Sequence, residues 1–172
     1  MNAADLVTDG NVRAWESSSR SPFPHMSPFD TKVWTAFLET HFMPLSDIVY
    51  DVALGGKSAR HVRADDDLKE MWESLIKKRL DVAFTSKGVV WCVEVKPLAN
   101  MAALGQVLTY AFLWNAEGRS ETEARAMVIC SRVDEDLEAV FRFFDVTVIL
   151  VLPSSESEPS QIVKVFGPLS GE

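Results

Sequence analysis

Hydrophobic and polar residues recur along much of the chain at the 3.6-residue spacing of an amphipathic helix. Three segments have this spacing, and a fourth favours a helix because it is rich in alanine and leucine. They are residues 31–42, 65–78, 134–144 and, by composition, 99–115. Asp30 or Thr31 can cap the first helix, since either side chain accepts from a free backbone N–H group. Pro44 is expected to end it.

Short apolar runs between these segments predict strands. They occupy residues 47–54, 79–84, 89–95, 125–131 and 146–152, and residues 162–166 are a candidate edge strand. A turn at residues 86–88 joins the second and third strands into a hairpin, and Pro97 is expected to stop the third. The alternation predicts an α/β fold: a mixed sheet flanked by helices, its later strands parallel through right-handed crossovers.

Composition divides the chain into a core and two tails. Residues 1–30 contain a serine run and three prolines, and they are interpreted as a partly irregular N-terminal extension. Residues 31–152 carry the main predicted elements and form the core. Residues 153–172 are polar and rich in serine and glutamate, apart from the candidate edge strand. We expect one domain without internal repeats.

The overall composition is that of an ordinary globular protein: 172 residues, 47% hydrophobic and 24% charged. No apolar run approaches the ~20 residues of a membrane-spanning helix, and residues 1–20 lack the layout of a signal peptide, so we expect a cytoplasmic protein. Cys92 and Cys130 lie in apolar predicted strands, which favours buried reduced thiols. A disulfide between neighbouring strands is the alternative.

The net charge of −8, from 17 basic and 25 acidic residues, argues against nucleic-acid binding. What counts at a site is the local field, however, and one basic cluster lies almost directly before Asp81. It consists of Lys77, Lys78 and Arg79. These residues are candidates for phosphate contact; alternatively, they are cations that favour the C-terminus of the preceding helix.

Two carboxylates and a lysine are predicted to meet at one end of the hairpin. Glu94 and Lys96 lie two apart at the end of a strand, so their side chains share a face, and Asp81 can lie beside Glu94. The oxygens of Asp81 and Glu94 suit Mg²⁺, and a metal-polarised water can attack phosphorus. Lys96 would orient or deprotonate that water, or neutralise charge on the phosphate. The alternative is a surface ion-pair cluster.

Here the chain resembles a known superfamily. Asp81, then twelve residues, then Glu94-Val95-Lys96 is similar to the signature of the PD-(D/E)XK nucleases. Gln106 and Tyr110, four apart on the next predicted helix, resemble the QxxxY element of several branches. The resemblance implies a restriction-endonuclease-like core, catalysis by Asp81, Glu94 and Lys96, and support from the Gln and Tyr. Alternatively, the Tyr only packs against the sheet.

A weaker resemblance lies upstream. Residues 36–42 are similar to the first-helix glutamate segment of transposon-end-cleaving nucleases and related phage proteins, which implies Glu39 as a third acidic metal ligand. Its place on the polar side of the helix equally fits a solvated glutamate. The chain departs from the family pattern at Leu80, where proline is usual, and the predicted helix 65–78 looks like an insertion.

The resemblance implies a magnesium-dependent deoxyribonuclease in which Mn²⁺ would substitute for Mg²⁺, with an endonuclease of phage or mobile-element type and an exonuclease as alternatives. DNA is the expected partner, with a homodimer or a larger nucleoprotein complex as further expectations. The alternative is a non-catalytic module with this fold that acts in assembly or partner binding within a larger nucleic-acid complex. The acidic surface favours that alternative.

Overall fold

A computed structural model describes residues 23–56 and 75–169, together with positions 68 and 71. Within these residues, one six-stranded sheet carries α-helices on both faces. The helices are α1 (Pro28–Glu39), α2 (Met101–Ala116) and α3 (Glu138–Phe143), the last preceded by a 3₁₀ turn at Glu135–Leu137. The strands are β1 (Ser46–Leu54), β2 (Lys78–Ser86), β3 (Val89–Ala99), β4 (Arg125–Val133), β5 (Thr147–Leu152) and β6 (Gln161–Phe166).

The sheet is mixed, as the sequence predicts. Its strands lie in the order β1-β2-β3-β4-β5-β6, with β3, β4 and β5 parallel and every other pair antiparallel. The edge strand predicted at 162–166 is confirmed as β6. Most of the predicted helix 65–78 lies outside the described residues. No helix in the described ranges is long and apolar enough to cross a membrane.

Each face of the sheet has its own hydrophobic core, because successive strand side chains point to opposite faces. On one face, Trp34 and Phe37 of α1 pack against β3 residues such as Trp91 and Val93. We call this the α1 face. On the other, which we call the α2 face, α2 and α3 cover the alternate positions of the strands, including Cys92. The sheet therefore brings residues of α1 and α2 to the two sides of the same strands.

The start of α1 differs from the prediction. The cap is Ser27, not Asp30 or Thr31, because the helix begins three residues early at Pro28. Ser27 Oγ accepts from the Asp30 backbone N–H at 3.2 Å, and Asp30 Oδ2 accepts from the Ser27 N–H at 3.1 Å. This reciprocal pair is a capping box. The helix ends at Glu39, before Pro44 is reached.

Pro97 does not stop β3, contrary to the prediction. The strand continues to Ala99, and its pairing with β4 extends to the same residue. The pairing of β3 with β2, by contrast, ends at Val82↔Val93. From that level on, β3 is free on its β2 side, so a residue without an N–H group interrupts no ladder there. The separation of β2 and β3 is what opens space for the site described below.

The cysteines are free and buried, which confirms the predicted reduced thiols. Both side chains belong to the α2 face, but Cys92 pairs with Ala126 and Cys130 pairs with Lys96. The thiols are therefore four residues apart in register, about 13 Å at the rise of a strand. That separation excludes a disulfide between them. Desolvation raises the pKa of each thiol to about 12.

Gly167 occupies a position with no room for a side chain. It has φ +89°, and a Cβ atom there would lie 2.5 Å from the Val146 carbonyl oxygen. We expect Gly167→Ala to lower the free energy of unfolding by about 3 kcal/mol, from the left-handed backbone and the clash together. Gly88→Ala is the matched control, because Gly88 has φ +78° and open space around its Cβ position. Urea denaturation compares the two; equal losses would contradict the clash.

Candidate active site

In strands β1 and β2, the alternation of side chains between the two faces of the sheet is interrupted at the same level. In β1, Tyr50 packs on the α1 face and Val52 on the α2 face. In β2, Val82 packs on the α1 face and Leu80 on the α2 face. The two strands stay in register on both sides of this change. Residues two apart on a regular strand share a face, so each strand reverses at the residue in between. Those two residues are Asp51 and Asp81.

Asp81 replaces the backbone partner that β3 loses where the hairpin opens. The ladder ends at Val82↔Val93, and the next N–H group of β3 on this side belongs to Val95. Asp81 Oδ2 accepts from that N–H at 2.9 Å. Because a side chain rather than a backbone carbonyl fills this position, the half-buried carboxylate is held beside Glu94. The predicted approach of Asp81 to Glu94 at one end of the hairpin is thus present.

Glu94 is a carboxylate inside the protein, with 1% of its surface exposed. Lys96 Nζ lies 2.8 Å from Oε1 and forms an ion pair with it. Apart from that lysine, neither carboxylate oxygen has a hydrogen-bond partner among the described residues. Burial, followed by the charge of Asp81, raises the pKa of Glu94 to about 7, although the Lys96 ammonium opposes the rise. A buried carboxylate with free lone pairs is suited to receive a cation.

The side chains of Lys96 and Asp81 complete the cluster. Lys96 is 31% exposed, so its ammonium connects the buried Glu94 with solvent. Desolvation acts to lower the pKa of Lys96, but the contact with Glu94 and the charges of Glu94 and Asp81 raise it overall. Burial raises the pKa of Asp81, and the Val95 N–H and the Lys96 charge partly offset this. Lys96 is therefore held as a cation.

Gln106 and Tyr110 face the same cluster from α2. Gln106 Nε2 donates to Tyr110 Oη at 3.4 Å, and the tyrosine is 6% exposed. Desolvation raises the pKa of Tyr110, and the charge of Glu94 raises it further. The structure therefore brings together all five residues of the predicted catalytic and supporting set: Asp81, Glu94, Lys96, Gln106 and Tyr110.

Glu39 is not part of this cluster. It is the last residue of α1, and its Oε2 accepts from Ser160 Oγ at 2.6 Å, near the start of β6. Asp30, at the other end of the helix, is about 13 Å away along the axis. Asp30 is 8% exposed, and its charge raises the pKa values of Asp81 and Glu94. The acidic residue of α1 that acts on the site is thus Asp30, which the sequence marked only as a cap.

The basic cluster before Asp81 is only partly available. Lys78 and Arg79 belong to β2 rather than to a helix, and Lys78 Nζ donates to the Ile76 carbonyl at 3.2 Å. The Arg79 guanidinium binds both carboxylate oxygens of Asp51, with Nε 2.6 Å from Oδ1. Lys77 is half-buried. Asp51, absent from the predicted site, thus holds one of the three predicted phosphate contacts.

The donor set for a cation consists of Asp81 and Glu94. Among the described residues, no three His, Cys, Asp or Glu side chains are grouped so that they could hold a metal ion. Comparison of the chain with protein-family models, with curated proteins and with solved structures found no match. The function is therefore argued from the chemistry of these side chains.

Proposed function

We propose that this protein is a magnesium-dependent nuclease that hydrolyses DNA phosphodiester bonds at the Asp81–Glu94–Lys96 cluster. The observation that carries the proposal is Glu94, a fully buried carboxylate that contacts Lys96 and has no other hydrogen-bond partner in the described structure. Burying such a group costs free energy unless a ligand uses it. Its neighbours are a second carboxylate and a cation, residue types that suit metal-dependent phosphodiester hydrolysis.

The residues present fit a hard divalent cation. Asp81 and Glu94 supply carboxylate oxygens, which Mg²⁺ prefers, and Mg²⁺ commonly uses only one or two protein carboxylates. Mn²⁺ accepts the same ligands. When bound, the ion would lower the pKa of a coordinated water and neutralise charge on the phosphate.

The protein's own side chains would divide the remaining tasks. Lys96 brings a protonated amine to the mouth of the site, where it can orient a phosphate oxygen and stabilise developing negative charge. Asp81 is held by the Val95 N–H, so its orientation is defined before any ligand arrives. Tyr110 and Gln106 cover the α2 side, and their hydrogen bond fixes the tyrosine hydroxyl beside the carboxylates.

The direct test is cleavage of labelled single-stranded, duplex and branched DNAs in Mg²⁺, Mn²⁺ or EDTA. We expect metal-dependent cutting by the wild type and a loss of about 10³-fold in Asp81→Asn, which removes one carboxylate charge from the donor set. Asp136→Asn is the control, because that aspartate is exposed in the 3₁₀ turn before α3. Cutting that persists in EDTA, or that Asp81→Asn does not reduce, would overturn the proposal.

A second candidate function is a non-catalytic module that docks on a larger nucleic-acid complex. It is favoured by the net charge of −8 and by an open groove of about 620 Å³ between α2, β4 and the end of α3. Phe112 and Phe144 line this groove with 71% and 48% of their surfaces exposed. Exposed aromatic clusters of this kind are typical of protein-binding surfaces. The partner would supply the basic surface that this chain lacks.

The two functions separate in one experiment. A folded wild type that binds Mn²⁺ but cuts none of the DNAs would favour the docking module. In that case Phe112→Ser and Phe144→Ser should abolish the binding of a purified partner and leave Mn²⁺ binding unchanged. A wild type that cuts DNA without any partner favours the nuclease.

A further inference from the structure

The reversal of β1 and β2 has a local cause at Asp51. Asp51 has φ +52°, a left-handed conformation that L-residues adopt at a cost and that aspartate tolerates better than most. A residue with this conformation inside a strand turns the following side chains to the other face. Since β2 remains in register with β1, the side chains of β2 must also change faces at the residue opposite Asp51, which is Asp81.

The side chain of Asp51 is bonded on two sides. Arg79 of β2 binds both of its oxygens, and His25 Nε2 lies 3.1 Å from Oδ2. The Asp51 side chain is only 13% exposed, whereas those of Arg79 and His25 are 43% and 65% exposed. Ion pairs on an exposed surface contribute little to stability. A bidentate contact between an arginine and a partly buried carboxylate is stronger and more directional. It ties β1 to β2 two residues before Asp81.

We infer that Asp51 is a positioning residue: its left-handed backbone, held by Arg79 and His25, turns β2 so that the Asp81 carboxylate meets the Val95 N–H group beside Glu94. Without the reversal, residues 80 and 82 would share a face and Asp81 would point to the opposite one. The side chains of β2 would then alternate regularly between the two faces. The Asp81 carboxylate would no longer lie in the gap where β2 and β3 separate.

This inference rests on the proposed function for its importance, but the geometry can be tested without any cleavage assay. The Val95 amide reports directly on the Asp81 contact, and its hydrogen exchange is measurable by NMR on the ¹⁵N-labelled full chain. Asp81→Ala removes the acceptor and sets the value expected for a broken contact. Binding of Mn²⁺ alone, followed by paramagnetic broadening, reports on the metal site.

Asp51→Val is the main variant, because a β-branched residue is strongly disfavoured at positive φ. We expect the Val95 amide to exchange at least about 10-fold faster than in the wild type, as in Asp81→Ala. Asp51→Asn tolerates the left-handed conformation and keeps one acceptor for Arg79, so we expect exchange within about 2-fold of the wild type. If Asp51→Asn keeps the slow exchange of the Val95 amide, Asp51 acts through its backbone conformation and hydrogen bonding and its charge is not required.

Asp47→Val is the matched control. Asp47 lies in the same strand with φ +51°, but it is exposed and at the far end of β1. Asp47→Val introduces the same backbone strain far from Asp51 and Asp81, so Val95 exchange should stay at the wild-type value. If Asp51→Val does not fold, Arg79→Gln releases the side chain of Asp51 without adding strain and should still accelerate Val95 exchange.

The outcomes are distinct. Unchanged Val95 exchange in Asp51→Val and in Arg79→Gln would overturn the inference, and so would equal acceleration in Asp47→Val. Faster exchange together with Mn²⁺ binding weakened by about 10-fold or more would support it, since a tenfold change corresponds to the loss of one modest contact. If the wild type binds no Mn²⁺ and cuts no DNA, the proposed function fails while the Val95 amide still decides the role of Asp51.

Discussion

Glu94→Gln is expected to make the protein more stable at about pH 8 while removing the proposed nuclease activity. The wild-type pKa of Glu94 is raised from 4.5 to about 7, mainly by burial. A carboxyl group with a raised pKa contributes stability below its unfolded value, and this stability is lost as the pH rises through the folded value. The difference of about 2.5 corresponds to about 3 kcal/mol at about 1.4 kcal/mol per pKa unit. Glutamine retains the neutral form at every pH.

The measurement is urea denaturation of both proteins in EDTA. We expect the variant to unfold with a free energy about 3 kcal/mol higher than the wild type at about pH 8, and with nearly the same value at about pH 4.5. Glu138→Gln is the control, because the Lys164 and Arg142 contacts lower the pKa of this half-buried surface glutamate. Its replacement should not stabilise the protein at either pH. If the difference in the free energy of unfolding between Glu94→Gln and the wild type were the same at both pH values, the pKa of Glu94 would not be raised by burial.

Lys96→Ala is expected to reduce metal-dependent DNA cleavage by about 10²–10³-fold, the range observed when one preorganised group that stabilises transition-state charge is removed. The ammonium is the positively charged group in contact with Glu94, 2.8 Å from its Oε1, and the lysine side chain is 31% exposed against 1% for the glutamate. Its loss removes the cation that would meet the phosphate. The fold should persist, because the chain around Lys96 is held by the pairing of β3 with β4.

Lys164→Ala is the matched control for Lys96→Ala. Lys164, an exposed residue of β6, also contacts a glutamate, Glu138 of α3. Single-turnover cleavage and a thermal unfolding curve for each variant separate catalysis from stability. Retained Mg²⁺-dependent cleavage in a folded Lys96→Ala protein would exclude the proposed role of the lysine. Equal losses in both variants would point to a general effect of surface charge on DNA binding.

The α/β class and the strand pattern could be predicted because local periodicity determines them. Apolar runs such as residues 146–152 and the hairpin between β2 and β3 carry their own signals. The hairpin turn is a clear case: Lys87 and Gly88 both have positive φ, as a two-residue type I′ turn requires. Helix and strand ends were less predictable. Pro97 is tolerated only because β2 has already separated from β3.

The grouping of the candidate site residues was predictable for a similar reason. The alternation of a strand puts Glu94 and Lys96 on one face, and the four-residue spacing of a helix does the same for Gln106 and Tyr110. Glu39 had an equally local signal, its position on a helix, but nothing in that signal says which end of α1 meets the site. The packing of α1 across β3, β4 and β5 decides this, and it brings Asp30 rather than Glu39 into range.

By itself, the sequence determined the elements of this protein and the residue types at the ends of β2 and β3. Only the tertiary structure decided that Glu94 is buried with no hydrogen-bond partner but Lys96 in the described part, and that Asp51 binds Arg79. It also decided that the side chains of β1 and β2 change faces at the same level of the sheet. The physical reason is that periodicity depends on neighbours in the chain, whereas desolvation, ion pairing and strand reversal depend on residues that are distant in it.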